Sequence, residues 1–211
     1  VSKSRTEAFS DGVFAVAITL LIFNVQVPPG GTSLRTALVA MWPSYVSYIV
    51  SFATIGIIWV NHHAVFRAVR RVDRPYLYLN LFLLMTVAFI PFPTALLGRA
   101  LQAGHDANLA AAVYGMTMTL MSIGFSMLWA YMGFHPDLLS EALTSQQIRA
   151  SWPRFSSGVL IYLGATALAF VSAVVSLIAY AAVALYYIFD QLQAPAEDEE
   201  ATAIPEAEER L

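Results

Sequence analysis

The chain has no cysteine and few charges: Asp, Glu, Lys and Arg together make up 12% of its 211 residues. Without cysteine there is no disulfide scaffold, no thiol nucleophile and no Cys-based zinc site. A soluble domain carries about 25% charged residues, so this composition excludes an ordinary water-facing surface. Hydrophobic residues reach 58%, which excludes a wholly disordered chain. Eleven basic residues against fourteen acidic ones leave a net charge of −3, so nucleic acid is not an expected partner. The motifs of hydrolysis and nucleotide chemistry are missing too. There is no G-x-S-x-G elbow, no phosphate-binding P-loop and no paired-carboxylate motif. An enzyme is not expected, and no cofactor is implied.

What the chain has is apolar length, with a mean hydropathy of +0.65. A membrane helix needs about 20 mostly apolar residues. Apolar blocks run over 9–27, 38–60, 76–97, 108–132 and 155–189. The last holds no charge and would be ~53 Å long as one helix, against a ~30 Å hydrocarbon core. It divides into two short helices with a turn near Ser172–Ser176, which predicts an all-α membrane protein with six spans. The first block contains Asp11 and is too long for a cleaved signal peptide. Pro28-Pro29-Gly30-Gly31 stops the first helix. Pro43 falls in the first turns of the second, and Pro91 and Pro93 kink the third or end its regular part.

With a cytoplasmic N-terminus, the inner side collects Lys3, Arg5, Arg67, Arg70, Arg71, Arg74, Arg149, Arg154 and Arg210. The outer side keeps only Arg35 and Arg99. This bias orients the chain with both termini inside. Residues 1–190 form the transmembrane domain. Residues 191–211, with the acidic run Glu197-Asp198-Glu199-Glu200, read as a solvated, disordered cytoplasmic tail. The polar loop over 134–154 has room for a short surface helix.

Asp11 is the most informative residue, because a carboxylate in an apolar span needs a partner or water. One reading makes it a simple cap of helix one. The other gives it partners at the same depth: Asn61, His62 and His63 at the inner end of helix two, and Asn80 one turn into helix three. Adjacent histidines diverge by about 100° on a helix, so at most one faces Asp11. The same adjacency argues against a metal, since helical ligand pairs use i, i+3 or i, i+4 spacing. Further along, Gly12, Val16, Thr19, Leu20 and Phe23 share one stripe of helix one. By pattern alone, that stripe packs against other helices or lipid.

Arg5-x-x-x-Phe9-Ser10-Asp11 at the start of helix one resembles the lysosomal-type transmembrane potassium channel family. The Trp59-x-Asn61-His62-His63 end of helix two and the double-serine hairpin near Ser172–Ser176 are similar to that family as well. The resemblance spans roughly residues 3–190. It implies a prokaryotic plasma-membrane channel of one six-helix repeat, assembled as a homotetramer with helix one lining the pore. Potassium ions and membrane lipid are then its partners. It further implies an apolar constriction at Val16, a hydroxyl layer at Thr19 and a next layer at Phe23, with Leu20 as an alternative narrowest ring. Arg5, Phe9, Ser10, Asp11, Trp59, Asn61, His62, His63 and Asn80 become the network anchoring helix one. Potassium over sodium selectivity is expected to be modest. Two competing readings are a proton-permeable pore or proton-coupled transporter using Asp11 and the histidines, and a non-conducting membrane scaffold or small membrane enzyme.

Overall fold

A computed structural model describes residues 2–26, 33–141 and 143–192, with side chains left out of account at 154–155 and 188–192. The Pro28–Gly31 stop and the acidic tail beyond 192 lie outside the described residues. Among the described residues the fold is all-helical, with a single isolated bridge between Val69 and Leu139.

Helix α1 (Lys3–Leu20) continues as a 3-10 turn over Leu21–Asn24. Ser2 caps α1, accepting the Arg5 N–H at 3.4 Å, so Asp11 lies about two turns inside the helix and is not its cap. The second apolar block is split. A short helix α2 (Leu34–Ala40) buries none of its residues, and the long helix α3 (Trp42–Arg67) follows. The split falls at Met41, because Pro43 belongs to the first turn of a helix, where its missing N–H costs nothing.

The third block is likewise divided, into α4 (Arg74–Phe89) and α5 (Pro91–Ala103). Pro91 and Pro93 withdraw the donors that the carbonyls of Val87 and Phe89 would use in a continuous helix. The Ile90 N–H turns instead to the Val87 carbonyl at 3.1 Å. Helix α6 (Ala107–Phe134) is the central element, packing on α4, α5, α7 and α8.

The uncharged fifth block forms a hairpin of α7 (Ser145–Ala169) and α8 (Ala173–Leu192). Its turn falls at 170–172, at the front edge of the expected serine pair. Helix α7 starts well before residue 155, because Thr144 and Gln147 form a reciprocal capping box. The expected surface helix in the loop shrinks to a 3-10 turn at Pro136–Leu138. Asn108 of α6 accepts the Ala173 N–H at 2.9 Å, and Ser176 donates to the Ala165 carbonyl at 3.0 Å. The first bond ties the hairpin to α6, and the second ties its two helices together.

Among the described residues, four helical segments are long and apolar enough to cross a membrane: Lys3–Asn24, Trp42–Arg67, Arg74–Ala103 and Ala107–Phe134. At the opposite end from the hairpin turn, two loops are stapled together. Arg70 N–H donates to the Leu138 carbonyl at 2.7 Å, and Ser140 N–H donates to the Ala68 carbonyl at 3.0 Å. Arg71 pairs with Asp137 across the same loops, and that guanidinium holds the Asp137 carboxyl below its usual range. Asp73 caps α4 through the Tyr76 N–H and accepts the Tyr131 hydroxyl at 2.7 Å.

Small residues let α6 approach its neighbours. A methyl group at Gly115 would collide with Thr166 of α7 and with the Tyr180 hydroxyl, which donates to the Ala111 carbonyl at 3.1 Å. Gly115→Ala is therefore expected to destabilise the fold by roughly 1–3 kcal/mol. Gly164, on the same hairpin, has nothing within 4 Å of a built Cβ. Gly164→Ala should leave thermal stability unchanged or raise it slightly. Parallel thermal unfolding of the two variants in detergent checks the pair.

Candidate functional site: the two faces of helix one

Helix α1 presents two faces of different character. Thr6, Ser10, Phe14, Ala17 and Leu21 recur every three or four positions and are buried. They seat α1 against α3 and α4. Phe9, Gly12, Val16, Thr19, Leu20 and Phe23 lie on the other side and are exposed, Val16 at 57% and Phe23 at 71%. The apolar stripe expected from the sequence is therefore one continuous open face. A shallow apolar groove follows it, lined by Phe9, Gly12, Val16 and Leu20 with Ala88 of α4.

The buried face is pinned near its N-terminal end by a directed chain of hydrogen bonds. Ser10 Oγ–H donates to the Thr6 carbonyl at 2.9 Å. Its oxygen accepts Asn80 Nδ2–H at 3.0 Å. That orientation leaves Asn80 Oδ1 as an acceptor, 2.8 Å from His62 Nε2. His62 Nε2 therefore carries the proton and donates. Ser10, Asn80 and His62 are each at most 1% exposed. The His62 ring fills the space between Phe14 and Phe66, with centroids 5.2 and 4.6 Å away.

Beside this chain, α1 and α3 run antiparallel and exchange further contacts in register. Trp59 Nε1–H donates to Asp11 Oδ1 at 2.9 Å. One turn nearer the N-terminus, Glu7 Oε1 lies 3.3 Å from His63 Nδ1. Residues 7 and 11 share a face of α1, as 59 and 63 do of α3, so the two contacts are successive rungs between one pair of helices.

The structure brings part of the expected group together, with partners other than those expected. Asp11 takes the Trp59 indole and neither histidine. His62 turns to Asn80, and His63, diverging from it as adjacent helical residues must, turns to Glu7. Glu7 was missed, although its i, i+4 spacing from Asp11 was the available signal. Asn61 is half-buried on the same turn of α3, while Arg5 and Phe9 are exposed and stand apart from the buried chain. At the far end of α1, Thr19 Oγ1–H reaches the carbonyls of Ala15 and Val16, both at 2.9 Å. Its donor is used within the helix, and its oxygen lone pairs stay available on the open face. Among the described residues no group of His, Asp and Glu is placed to hold a metal.

An all-helical apolar bundle whose first helix leaves a largely apolar face open fits the class of multi-pass membrane proteins. The comparisons sharpen this. The family model described as endosomal/lysosomal potassium channel TMEM175 matches residues 5–91. A potassium channel of Streptomyces collinus is 48% identical over 197 residues, covering 92% of this chain and 95% of that protein. One from Chamaesiphon minutus is 40% identical over 187 residues, covering 87% of this chain and 92% of its own. The crystal structure of a lysosomal potassium-selective channel TMEM175 homologue from Chamaesiphon minutus superposes with a TM-score of 0.81 at 38% identity, covering 89% of this chain and 97% of that one. The chain belongs to the TMEM175 family of ion channels, which are not enzymes.

The hydrogen-bond chain makes a stability prediction. Asn80→Leu removes the middle link and leaves the His62 N–H in an apolar slot without an acceptor. That should cost about 1–3 kcal/mol. Asn80→Gln should cost less, because the amide is retained. Thermal unfolding of both variants beside the parent protein measures the difference.

Proposed function

We propose that this protein is a potassium-permeable cation channel in a prokaryotic plasma membrane, built from four copies around a central pore lined by α1. The open apolar face of α1, set back to back with a pinned polar face, carries this reading. A face of Gly12, Val16, Leu20 and Phe23 needs an apolar or narrow environment, and a second copy of the same helix supplies it by symmetry. In this arrangement α7 and α8 complete six spans, and both termini lie in the cytoplasm. The names of the relatives that cover nearly the whole chain support potassium as the permeant ion.

The chemistry of such a pore follows from its side chains. A ring of Val16 methyl groups offers no ligand to an ion, so water leaves the constriction readily and conduction requires partial dehydration. Potassium sheds water more easily than sodium, which favours it. Thr19 sits three residues outward, about 4.5 Å along the axis. With its proton committed to the Ala15 and Val16 carbonyls, the hydroxyl offers oxygen lone pairs that replace some of the lost water. No rigid carbonyl cage surrounds the ion, so discrimination against sodium is modest. Leu20 and Phe23 form the next layers.

Ser10, Asp11, Trp59, His62, His63 and Asn80 anchor α1 in this reading rather than line the pore. Each bonds on the packed side of α1 or at its inner end, which favours a channel over a proton relay through the histidines.

Flux through purified protein in liposomes, under a potassium gradient with sodium and proton controls, tests the function. Potassium flux above sodium flux is expected. Val16→Ala and Thr19→Ala should each change the potassium-to-sodium ratio, and an unchanged ratio in both would remove α1 from the filter. Asp11→Ala should lower the yield of folded tetramer on size exclusion with light scattering. Normal assembly and conductance in that variant would overturn the anchoring role.

A further inference from the structure

The polar residue at the far end of helix one belongs neither to the buried chain, nor to the rungs with α3, nor to the open stripe. Asn24 ends the 3-10 turn, half-buried, and its Nδ2–H donates to the Pro91 carbonyl at 3.0 Å. We propose that Asn24 is a positioning residue for the outer pore layer, latching the turn that carries Phe23 to the proline break between α4 and α5. The proposal rests on the reading that α1 lines the pore.

Helix one ends in this 3-10 turn, Leu21–Asn24, shortly before the Pro28-Pro29 stop, and a tightened last turn is common at helix C-termini. What fixes its place is the packing around it. Leu21 is fully buried, and the turn packs against α3 and α5. Asn24 bonds to the first residue of α5. Phe23 stands between these two fixed residues and is itself 71% exposed.

The geometry converts this latch into a pore dimension. A 3-10 helix advances about 120° and 2.0 Å per residue, against about 100° and 1.5 Å for an α-helix. Two residues past Leu21, the side chain of Phe23 is turned by about 40° and carried about 1 Å further out than a continuous α-helix would place it. Releasing Asn24 lets the turn relax toward α geometry and swings the Phe23 ring. The acceptor lies at the one place where α4 and α5 are not a continuous helix. A shift of α5 about Ile90 is therefore felt first at the outer end of α1. An amide bond in apolar surroundings has few competing partners, which suits it to this role.

The test uses Asn24→Leu, which keeps the size and loses the donor, and Asn24→Asp, which does the same if the leucine variant fails to assemble. Asn24→Gln retains the amide. Each is compared with the parent tetramer by size exclusion and by potassium and sodium flux in liposomes, with Val16→Ala alongside. Loss of the donor should shift the potassium-to-sodium permeability ratio about two- to fivefold, in the same direction for Leu and Asp, with Gln nearer the parent. The absence of native cysteine permits a second readout. A single Phe23→Cys should change its rate of labelling by a water-soluble thiol reagent when Asn24→Leu is added. If Val16→Ala alters the ratio while both donor-free variants keep it and the labelling rate is unchanged, the latch is overturned and the pore reading stands. A shift with Asp while an assembled Leu variant keeps the parent ratio is an effect of charge and also overturns the latch. If Val16→Ala is silent as well, the pore reading falls and the latch with it.

Discussion

A helix that must expose one apolar face can be held only by the other, and in lipid that grip cannot come from the hydrophobic effect alone. Lipid tails are as apolar as leucine, so packing and satisfied polar groups have to supply the specificity. The chain from His62 through Asn80 and Ser10 to the Thr6 carbonyl does this for α1. Every donor in it has one acceptor and the order of protons is fixed. Rotating α1 by even one residue would move Ser10 out of reach and bury the open stripe. The polar chain thus sets the rotation of α1, and everything along its free face inherits that setting.

The neighbouring rungs add position along the axis. Glu7 with His63 and Asp11 with Trp59 are successive turns of two antiparallel helices. A slip by one turn would break both together. Rotation and translation are therefore fixed by different contacts, the first through α4 and the second through α3. An ion pathway lined by side chains a methyl group apart in size needs both. The wide spacing of the contacting positions in sequence, from Glu7 to Asn80, makes α1, α3 and α4 one mechanical unit before α6 and the hairpin are added.

Much of this was legible because membrane helices are read from length and charge, which survive without tertiary context. The apolar blocks, the proline break at Ile90 and the division of the last block all appear in the order composition places them, though several ends lie further out and the second block is split. Boundaries moved where side-chain capping outweighed hydropathy. Thr144 and Gln147 start α7 in polar sequence, and Ser2 starts α1 eight residues before Ser10. The residues of the anchoring cluster were recognisable as well, since a buried Asp, Asn and His in apolar spans must find partners. Which partner each takes was not legible. The Trp59 indole is as good a donor to Asp11 as an imidazole, and only the angle between α1 and α3 decides between them. Asn24 was harder still, because its acceptor is a backbone carbonyl, which no side-chain pattern announces.

The same logic explains why the polar atoms of α1 divide as they do. In its first turns, near the helix N-terminus, the helix uses ionisable groups, Glu7 and Asp11, with Ser10 between them. Beyond Asp11, its side-chain hydrogen bonds come only from neutral groups: Thr19 bonded within its own helix, then Asn24 on a carbonyl. A fixed charge further along α1 would either be buried at high cost or project onto the open face. In a pore it would dominate the field felt by a monovalent cation. Neutral anchors hold the helix without imposing that field. The open face is left to methyl groups, aromatic rings and one hydroxyl, so that in the proposed pore selection would depend on dehydration and fit rather than on charge.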